Sequence, residues 1–125
     1  MSLLLDTHVL LWWMADDPTL TDEARGTISD GSTEVIVSAA SVWEIAIKRS
    51  LGKLDAPDDL LQQLSANRMT VRPLDEHDVW LAGSLPDHHR DPFDRAIVAQ
   101  ALRGGHRLAT RDAQLAAYGI DIVHA

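Results

Sequence analysis

Short apolar runs alternate with longer stretches of helical periodicity along the whole chain. The first two runs, Leu3–Leu5 and Glu34–Val37, are too short for helices, and each is followed by a stretch with helical spacing. Strands that alternate with helices indicate βαβ units, whose parallel strands are covered by helices on both faces. We therefore predict an α/β fold, a three-layer α/β/α sandwich with a central parallel sheet of about five strands.

Glycine, proline and capping residues set the predicted bounds of these elements. The predicted strands are Leu3–Leu5, Glu34–Val37, Met69–Leu74, Arg107–Thr110 and Ile120–Val123. The predicted helices are Thr7–Met14, Thr21–Ile28, Ser38–Leu51, Pro57–Arg68, Asp75–Leu85, Asp91–Arg103 and Ala113–Tyr118. We expect all 125 residues to form one domain, since the length suits one and no linker or repeat interrupts it.

Composition excludes several classes of function. The chain has no cysteine, which rules out disulfides, thiolate zinc sites and cysteine nucleophiles and suits a reducing cytoplasm. Asp6 and His8 interrupt the N-terminal apolar run, so we expect neither a signal peptide nor a membrane span. No Walker A loop or GxGxxG pattern is present, so no nucleotide cofactor is expected.

The charge balance is acidic, with 11 Lys and Arg against 19 Asp and Glu and a formal net charge of -8. Such a balance opposes tight, non-specific binding of nucleic acid, which depends on neutralising phosphates. Bound metal ions could invert the local field. Two local basic stripes are also conceivable, Lys48 with Arg49 and Lys53, and Arg103 with Arg107 and Arg111.

Four acids fall where parallel strands end or the following helices begin. Asp6 directly follows the first predicted strand, and Asp112 comes two residues after the strand that ends at Thr110. Glu44 and Asp94 lie near the starts of helices. Because ligands of open parallel sheets bind beyond the carboxyl ends of the strands, we expect these acids at one rim of the sheet.

Carboxylates gathered in this way repel one another, and a divalent cation relieves that repulsion. Oxygen ligands with room for water suit Mg²⁺ or Mn²⁺. Such ions can activate a water for attack on a phosphodiester and stabilise the leaving oxygen. We therefore predict a metal centre that hydrolyses phosphodiesters, built from Asp6, Glu44, Asp94 and Asp112.

Each acid also has a structural alternative. Glu44 could complete a capping box with Ser41, or pair with Lys48 one turn later. Asp94 could share the capping of its helix with Asp91. Asp6 has the weakest alternative, because a charge that directly follows a buried strand is costly unless it is paired or the strand end is open.

Asp112 could simply cap the helix that starts at Ala113, and Thr110 could be an ordinary β-branched strand residue. The Thr110 hydroxyl could instead hold Asp112 or a metal-bound water. The six histidines show no zinc-binding spacing, and His88 and His89 are predicted to be loop residues. The tryptophans are expected in the core or at a partner interface; they are Trp12, Trp13, Trp43 and Trp80.

Four segments in order carry a family resemblance: LLLDTHVLLW, VSAASVWEIAIKRSLGKL, HRDPFDRAIVAQAL and LATRDAQLAAYGIDIV. Together they resemble PIN-domain proteins, and more narrowly the VapC-type toxins of toxin–antitoxin pairs. The resemblance runs from about residue 3 to residue 123 and implies an α/β/α sandwich.

The resemblance also implies a site and a function. It maps the family's acids onto Asp6, Glu44, Asp94 and Asp112, with Asp6 and Asp94 as the direct metal ligands. It implies that Thr110 and Asp91 support the site. The implied activity is a cytoplasmic Mg²⁺- or Mn²⁺-dependent endoribonuclease that cuts structured cellular RNA. The implied partners are an antitoxin and a second copy of the chain, possible members of one hetero-oligomer.

Other functions remain open to the residues alone. A receiver-like signalling module also gathers carboxylates at strand ends, but its acidic pair after the first strand is absent here, as is a lysine after the last strand. A dehalogenase-like phosphatase would carry a DxD pattern where this chain has Asp6, Thr7 and His8. An RNA-binding module without catalysis is the third alternative.

Overall fold

The computed structural model describes residues 1–125 and contains five strands, six α-helices and one 3-10 helix. The strands are β1 (Ser2–Leu5), β2 (Glu34–Ser38), β3 (Met69–Arg72), β4 (Arg107–Thr110) and β5 (Ile122–His124). The α-helices are α1 (Thr7–Met14), α2 (Asp22–Ser29), α3 (Ala39–Ser50), α4 (Leu60–Ala66), α5 (Glu76–Ser84) and α6 (Pro92–Gly104). The 3-10 helix spans Ala113–Tyr118.

All five strands are parallel and lie in the order β3-β2-β1-β4-β5. The chain builds the sheet outward from β1 to β3 and then crosses back to β4 on the other side of β1. The switch in strand order therefore falls between β1 and β4, where Leu5 pairs with Ala109. The predicted parallel α/β sandwich is confirmed.

Each face of the sheet has its own apolar core. Leu3 and Leu5 of β1 point to one face, where α1, α2 and α4 pack, and Leu4 points to the other, where α5 and α6 pack. Helix α3 touches both cores, through Ile45 on the first and Ala40 on the second. Because β1 is buried on both faces, a charged residue at its end is held in a rigid frame.

Several predicted bounds were wrong by two or three residues. Helix α4 begins at Leu60, because a turn from Pro57 precedes it and Asp59 offers no side-chain cap. Strand β3 ends at Arg72, since Pro73 has no N–H to continue the ladder. The last strand begins at Ile122, two residues later than predicted.

The four tryptophans divide into two groups. Trp12 and Trp13 are partly buried against the first core, as predicted. Trp43 and Trp80 are 60% and 83% exposed, so a core role is wrong for both. No helix of the chain is long and apolar enough to cross a membrane.

Candidate active site

Asp6 lies at the end of β1 and caps helix α1. Its Oδ1 accepts a hydrogen bond of 2.8 Å from the backbone N–H of Val9, and its Oδ2 accepts one of 2.5 Å from the hydroxyl of Thr110 on β4. Burial raises the pKa of the Asp6 carboxyl, while these two hydrogen bonds oppose the rise. The carboxylate is thus fixed across the switch point of the sheet.

The Thr110 hydroxyl also accepts a hydrogen bond of 3.1 Å from the backbone N–H of Asp112. The sequence suggests the Asp112 carboxylate or a water as the partner of this hydroxyl. In the structure the hydroxyl instead donates its hydrogen bond to Asp6, because β4 lies directly beside β1. Thr110 therefore links two of the predicted acids.

Glu44 is almost fully buried on α3, and its two oxygens differ. Oε2 accepts a bond of 2.6 Å from the ammonium of Lys48, whereas Oε1 is buried without any hydrogen-bond partner. A buried carboxylate oxygen without a partner is costly, which points to a missing ligand.

The capping-box alternative for Glu44 is wrong. Helix α3 is capped by Ser38, whose hydroxyl accepts from the N–H of Ala40 at 3.0 Å. Ser41 is buried and accepts a hydrogen bond of 2.9 Å from the hydroxyl of Thr7. This bond ties the helix that carries Glu44 to the first residue of α1.

Asp94 lies in the first turn of α6, which Asp91 caps as predicted. Asp91 accepts from the backbone N–H groups of Phe93 and Asp94 at 2.8 and 3.1 Å. Burial, followed by the charge of Asp91, raises the pKa of Asp94 to about 7. Asp6 and Glu44 add smaller increases, so these carboxylates share one field.

His89 joins Asp94 to Asp112. Its Nε2 lies 3.2 Å from Oδ2 of Asp94 and 3.0 Å from Oδ2 of Asp112. Its Nδ1 accepts a hydrogen bond of 3.1 Å from the backbone N–H of Asp91. Nδ1 therefore carries no proton, and the proton on Nε2 faces the two acids. The sequence predicts only a loop residue at His89 and does not reveal this contact.

Arg95 holds the loop that carries His89. Its guanidinium donates to the carbonyls of Ala82, Leu85 and His89 at 3.0, 2.8 and 3.0 Å, and to that of Pro86 at 3.3 Å. The position of the His89 imidazole thus depends on Arg95, which directly follows Asp94. The sequence does not predict this role of Arg95.

The structure brings all four predicted acids into one neighbourhood. The charge of Glu44 raises the pKa of both Asp6 and Asp94, and Asp112 contacts the same His89 as Asp94. Asp112 also caps the 3-10 helix, through a bond of 3.0 Å from the N–H of Gln114, so its structural alternative holds as well.

Three of the six residues in the two predicted basic stripes pair with acids within the fold, and Lys53, Arg107 and Arg111 form no ion pair. Arg49 pairs with Asp58, and Arg103 pairs with Asp75 and Asp78. The exposed Lys53 forms no ion pair, and Lys48 belongs to the acid cluster.

The donor set suits a hard divalent cation. It consists of carboxylate oxygens, includes the unpartnered Oε1 of Glu44, and carries more negative charge than the site neutralises. As they stand, no three Asp, Glu or His side chains are grouped closely enough to hold an ion. His89 contacts Oδ2 of both Asp94 and Asp112 instead, so coordination requires these side chains to exchange partners.

The fold and this rim of acids define an α/β domain of the kind that binds ligands at the switch point of its sheet. Residues 3–121 match the PIN domain. The chain is also 33% identical over 120 residues to Ribonuclease VapC22 of Mycobacterium tuberculosis, covering 91% of this chain and 89% of that protein. The chain belongs to the PIN-domain family, and its resemblance is to the VapC-type members.

Solved structures share the fold. VapBC2 from Rickettsia felis, bound to a DNA fragment from its promoter, matches with a TM-score of 0.72 and 13% identity, covering 98% of this chain and 97% of that one. VapBC-1 from nontypeable Haemophilus influenzae matches with a TM-score of 0.67 and 18% identity, covering 99% and 98% of the two chains. FitAcB from Neisseria gonorrhoeae gives a TM-score of 0.62 at 20% identity, covering 98% and 96%.

Proposed function

We propose that the chain is the toxin of a toxin–antitoxin pair and acts as a Mg²⁺- or Mn²⁺-dependent endoribonuclease on structured cellular RNA. The observation that carries the proposal is the convergence of Asp6, Glu44, Asp94 and Asp112 at the switch point of a PIN-domain sheet. The ribonuclease name of a relative that matches over most of both chains supports it. The family assignment favours a nuclease over a receiver module or a dehalogenase-like phosphatase.

Asp6, Glu44, Asp94 and Asp112 would hold the metal. When bound, the ion would supply an activated water and offset the charge of the scissile phosphodiester. The other residues prepare these ligands. Thr110 fixes Oδ2 of Asp6 so that Oδ1 can cap α1, and Asp91 holds the first turn of α6 under Asp94.

The remaining groups control charge. Nε2 of His89 lies within 3.2 Å of Asp94 and 3.0 Å of Asp112, so this imidazole bridges the two carboxylates. Glu44 is buried, whereas the Asp94 and Asp112 side chains are 26% and 36% exposed. The buried side of the site strengthens the electrostatic contacts of Glu44, and the exposed side leaves room for a substrate.

Cleavage of an end-labelled structured RNA by the purified protein tests the proposal. We expect cleavage with Mg²⁺ or Mn²⁺, none with EDTA, and products with a 5′-phosphate. The variants Asp6→Asn and Asp94→Asn should lose at least about a hundredfold in rate, because each removes a charged ligand. Asp87→Asn, at an exposed loop residue, is the matched control. Binding of RNA without metal-dependent cleavage would indicate the non-catalytic alternative.

We further propose that the protein binds an antitoxin and forms homodimers. The neighbouring solved structures named as VapBC pairs support the antitoxin. The exposed Trp43 and Trp80 support self-association, since tryptophan is enriched at protein interfaces. The mass of the free protein by light scattering, for the natural chain and Trp80→Ser, tests the dimer. A monomeric natural chain would contradict it.

A further inference from the structure

Lys48 is the one lysine that reaches the acid cluster. Its ammonium lies 2.6 Å from Oε2 of Glu44, with side chains that are 36% and 4% exposed respectively. The acid that holds the ammonium is therefore buried, while the lysine keeps part of its own side chain in solvent.

A simple pair of residues on one helix face does not explain this geometry. Such pairs are exposed and contribute little to stability. Here the acid is buried, and only one of its oxygens meets the ammonium while Oε1 has no partner. A buried carboxylate is costly when one of its oxygens has no partner. Oε1 of Glu44 therefore requires a ligand that the lysine does not supply.

We propose that Lys48 is a permanent counter-charge of the metal centre, holding Oε2 of Glu44 so that only Oε1 of this residue remains for a divalent ion. The inference rests on the proposed function and deepens it, because it assigns a charge-balancing role to a residue outside the acidic quartet. Lys48 is a positioning residue here, since it acts on the ion through Glu44.

The proposal has a measurable electrostatic consequence. An ammonium beside a ligand repels the incoming cation and weakens its binding. Removing that charge, while keeping the aliphatic stem, should tighten the binding of Mn²⁺ by about tenfold. The Lys48→Met variant makes this change, and Lys48→Arg keeps the charge. Lys53→Met changes the net charge equally at an exposed position on the turn after the same helix.

Titration of the full-length protein with Mn²⁺, monitored by calorimetry, is the direct test. We expect a Kd for Mn²⁺ that is about tenfold lower in Lys48→Met than in the natural chain, and values close to the natural one in Lys48→Arg and Lys53→Met. Melting curves supply a second reading that does not need activity. Mn²⁺ should raise the Tm of Lys48→Met more than that of the natural chain, because the ion replaces a missing counter-charge.

The outcomes separate the inference from the proposed function. Lys48→Met binding Mn²⁺ no more tightly than Lys53→Met would overturn the inference. In that case metal-dependent cleavage by the natural chain would leave the proposed function standing. A natural chain that neither binds Mn²⁺ nor cleaves RNA would overturn both.

Discussion

The Thr110 hydroxyl donates a hydrogen bond of 2.5 Å to Oδ2 of Asp6, across two neighbouring strands and 104 positions of sequence. Both residues are buried, so water cannot replace this bond if it is lost. A carboxylate that loses its donor in such a place carries a larger desolvation cost. The contact therefore contributes to the stability of the fold and to the orientation of Asp6.

Replacing Thr110 with Val should lower the free energy of unfolding by about 1–3 kcal/mol, because Asp6 stays buried without its donor. It should also weaken the binding of Mn²⁺. Urea denaturation and Mn²⁺ titration measure the two effects. Thr33→Val is the matched control, since the Thr33 hydroxyl is buried without a partner and its loss should cost nothing. Equal destabilisation by both variants would contradict the prediction.

Asp94→Asn should stabilise the metal-free protein at neutral pH. The pKa of Asp94 is about 7 in the folded chain against 3.8 ordinarily, so the folded state binds more protons between these values. The contribution of the Asp94 carboxyl to the free energy of unfolding therefore falls as the pH rises from about 4 to 7. Above that window the variant should gain up to about 4 kcal/mol.

Urea denaturation in EDTA at pH 5 and pH 8 measures this gain. Asp87→Asn removes an exposed carboxylate nearby in sequence and should show no such gain. If Asp94→Asn is no more stable than the natural chain at pH 8, then burial and the charge of Asp91 do not destabilise the ionised Asp94 carboxylate.

Arg95→Met should loosen the loop that carries His89. The guanidinium donates to four carbonyl groups, and the variant leaves them without these donors. We expect a loss of about 2–3 kcal/mol in stability and faster amide exchange in residues 85–91. Arg90→Met is the control, because Arg90 is exposed in the same loop. Unchanged exchange in that loop would contradict the assignment.

Stability should fall in acid through His106, which lies far from the acids. Burial and the neighbouring Arg72 lower its pKa below 6.5, and Glu34 opposes them. Its Nε2 contacts Nη1 of Arg72 at 2.6 Å and its Nδ1 contacts the hydroxyl of Ser2 at 2.6 Å. On acidification His106 therefore takes up its proton more readily in the unfolded chain than in the folded one. Its contribution to the free energy of unfolding is lost as the pH falls below about 6.5.

Urea midpoints at pH 7.5 and pH 5 test this, with His106→Asn losing less on acidification than the natural chain. His77→Asn, at an exposed histidine, should behave like the natural chain. Gly104 lies against the same imidazole, and a Cβ at this position would overlap the His106 ring. An identical acid response in all three proteins would contradict the role of His106.

Much of the fold followed from the sequence because strand-helix alternation leaves few alternatives. The acids at strand ends could be predicted for the same reason, since Asp6 and Asp112 follow strands that are short and apolar. The cap by Asp91 was also visible, because Pro92 follows it directly. These features depend on local sequence and on the general geometry of parallel sheets.

The missed features depend on contacts between distant elements. His89 and Arg95 have no periodic or motif signal, since their roles come from the path of a loop over the start of α6. The partner of Thr110 depends on β4 lying beside β1, which the sequence does not specify. Exposure of Trp43 and Trp80 was equally hidden, because hydrophobicity alone does not reveal which face of a helix is covered.

The cap that Asp6 forms on α1 bears on the choice of an inactive form for laboratory work. Asp6→Ala would remove the cap as well as the charge and cost about 1 kcal/mol of stability. A loss of toxicity in that variant could then reflect less folded protein. Asp6→Asn retains an oxygen for the N–H of Val9 and removes the charge, while its amide nitrogen takes the place of the oxygen that accepts from Thr110. Because it keeps the helix cap, the Asp6→Asn variant is the better inactive form in which to test the proposed complexes with RNA and antitoxin.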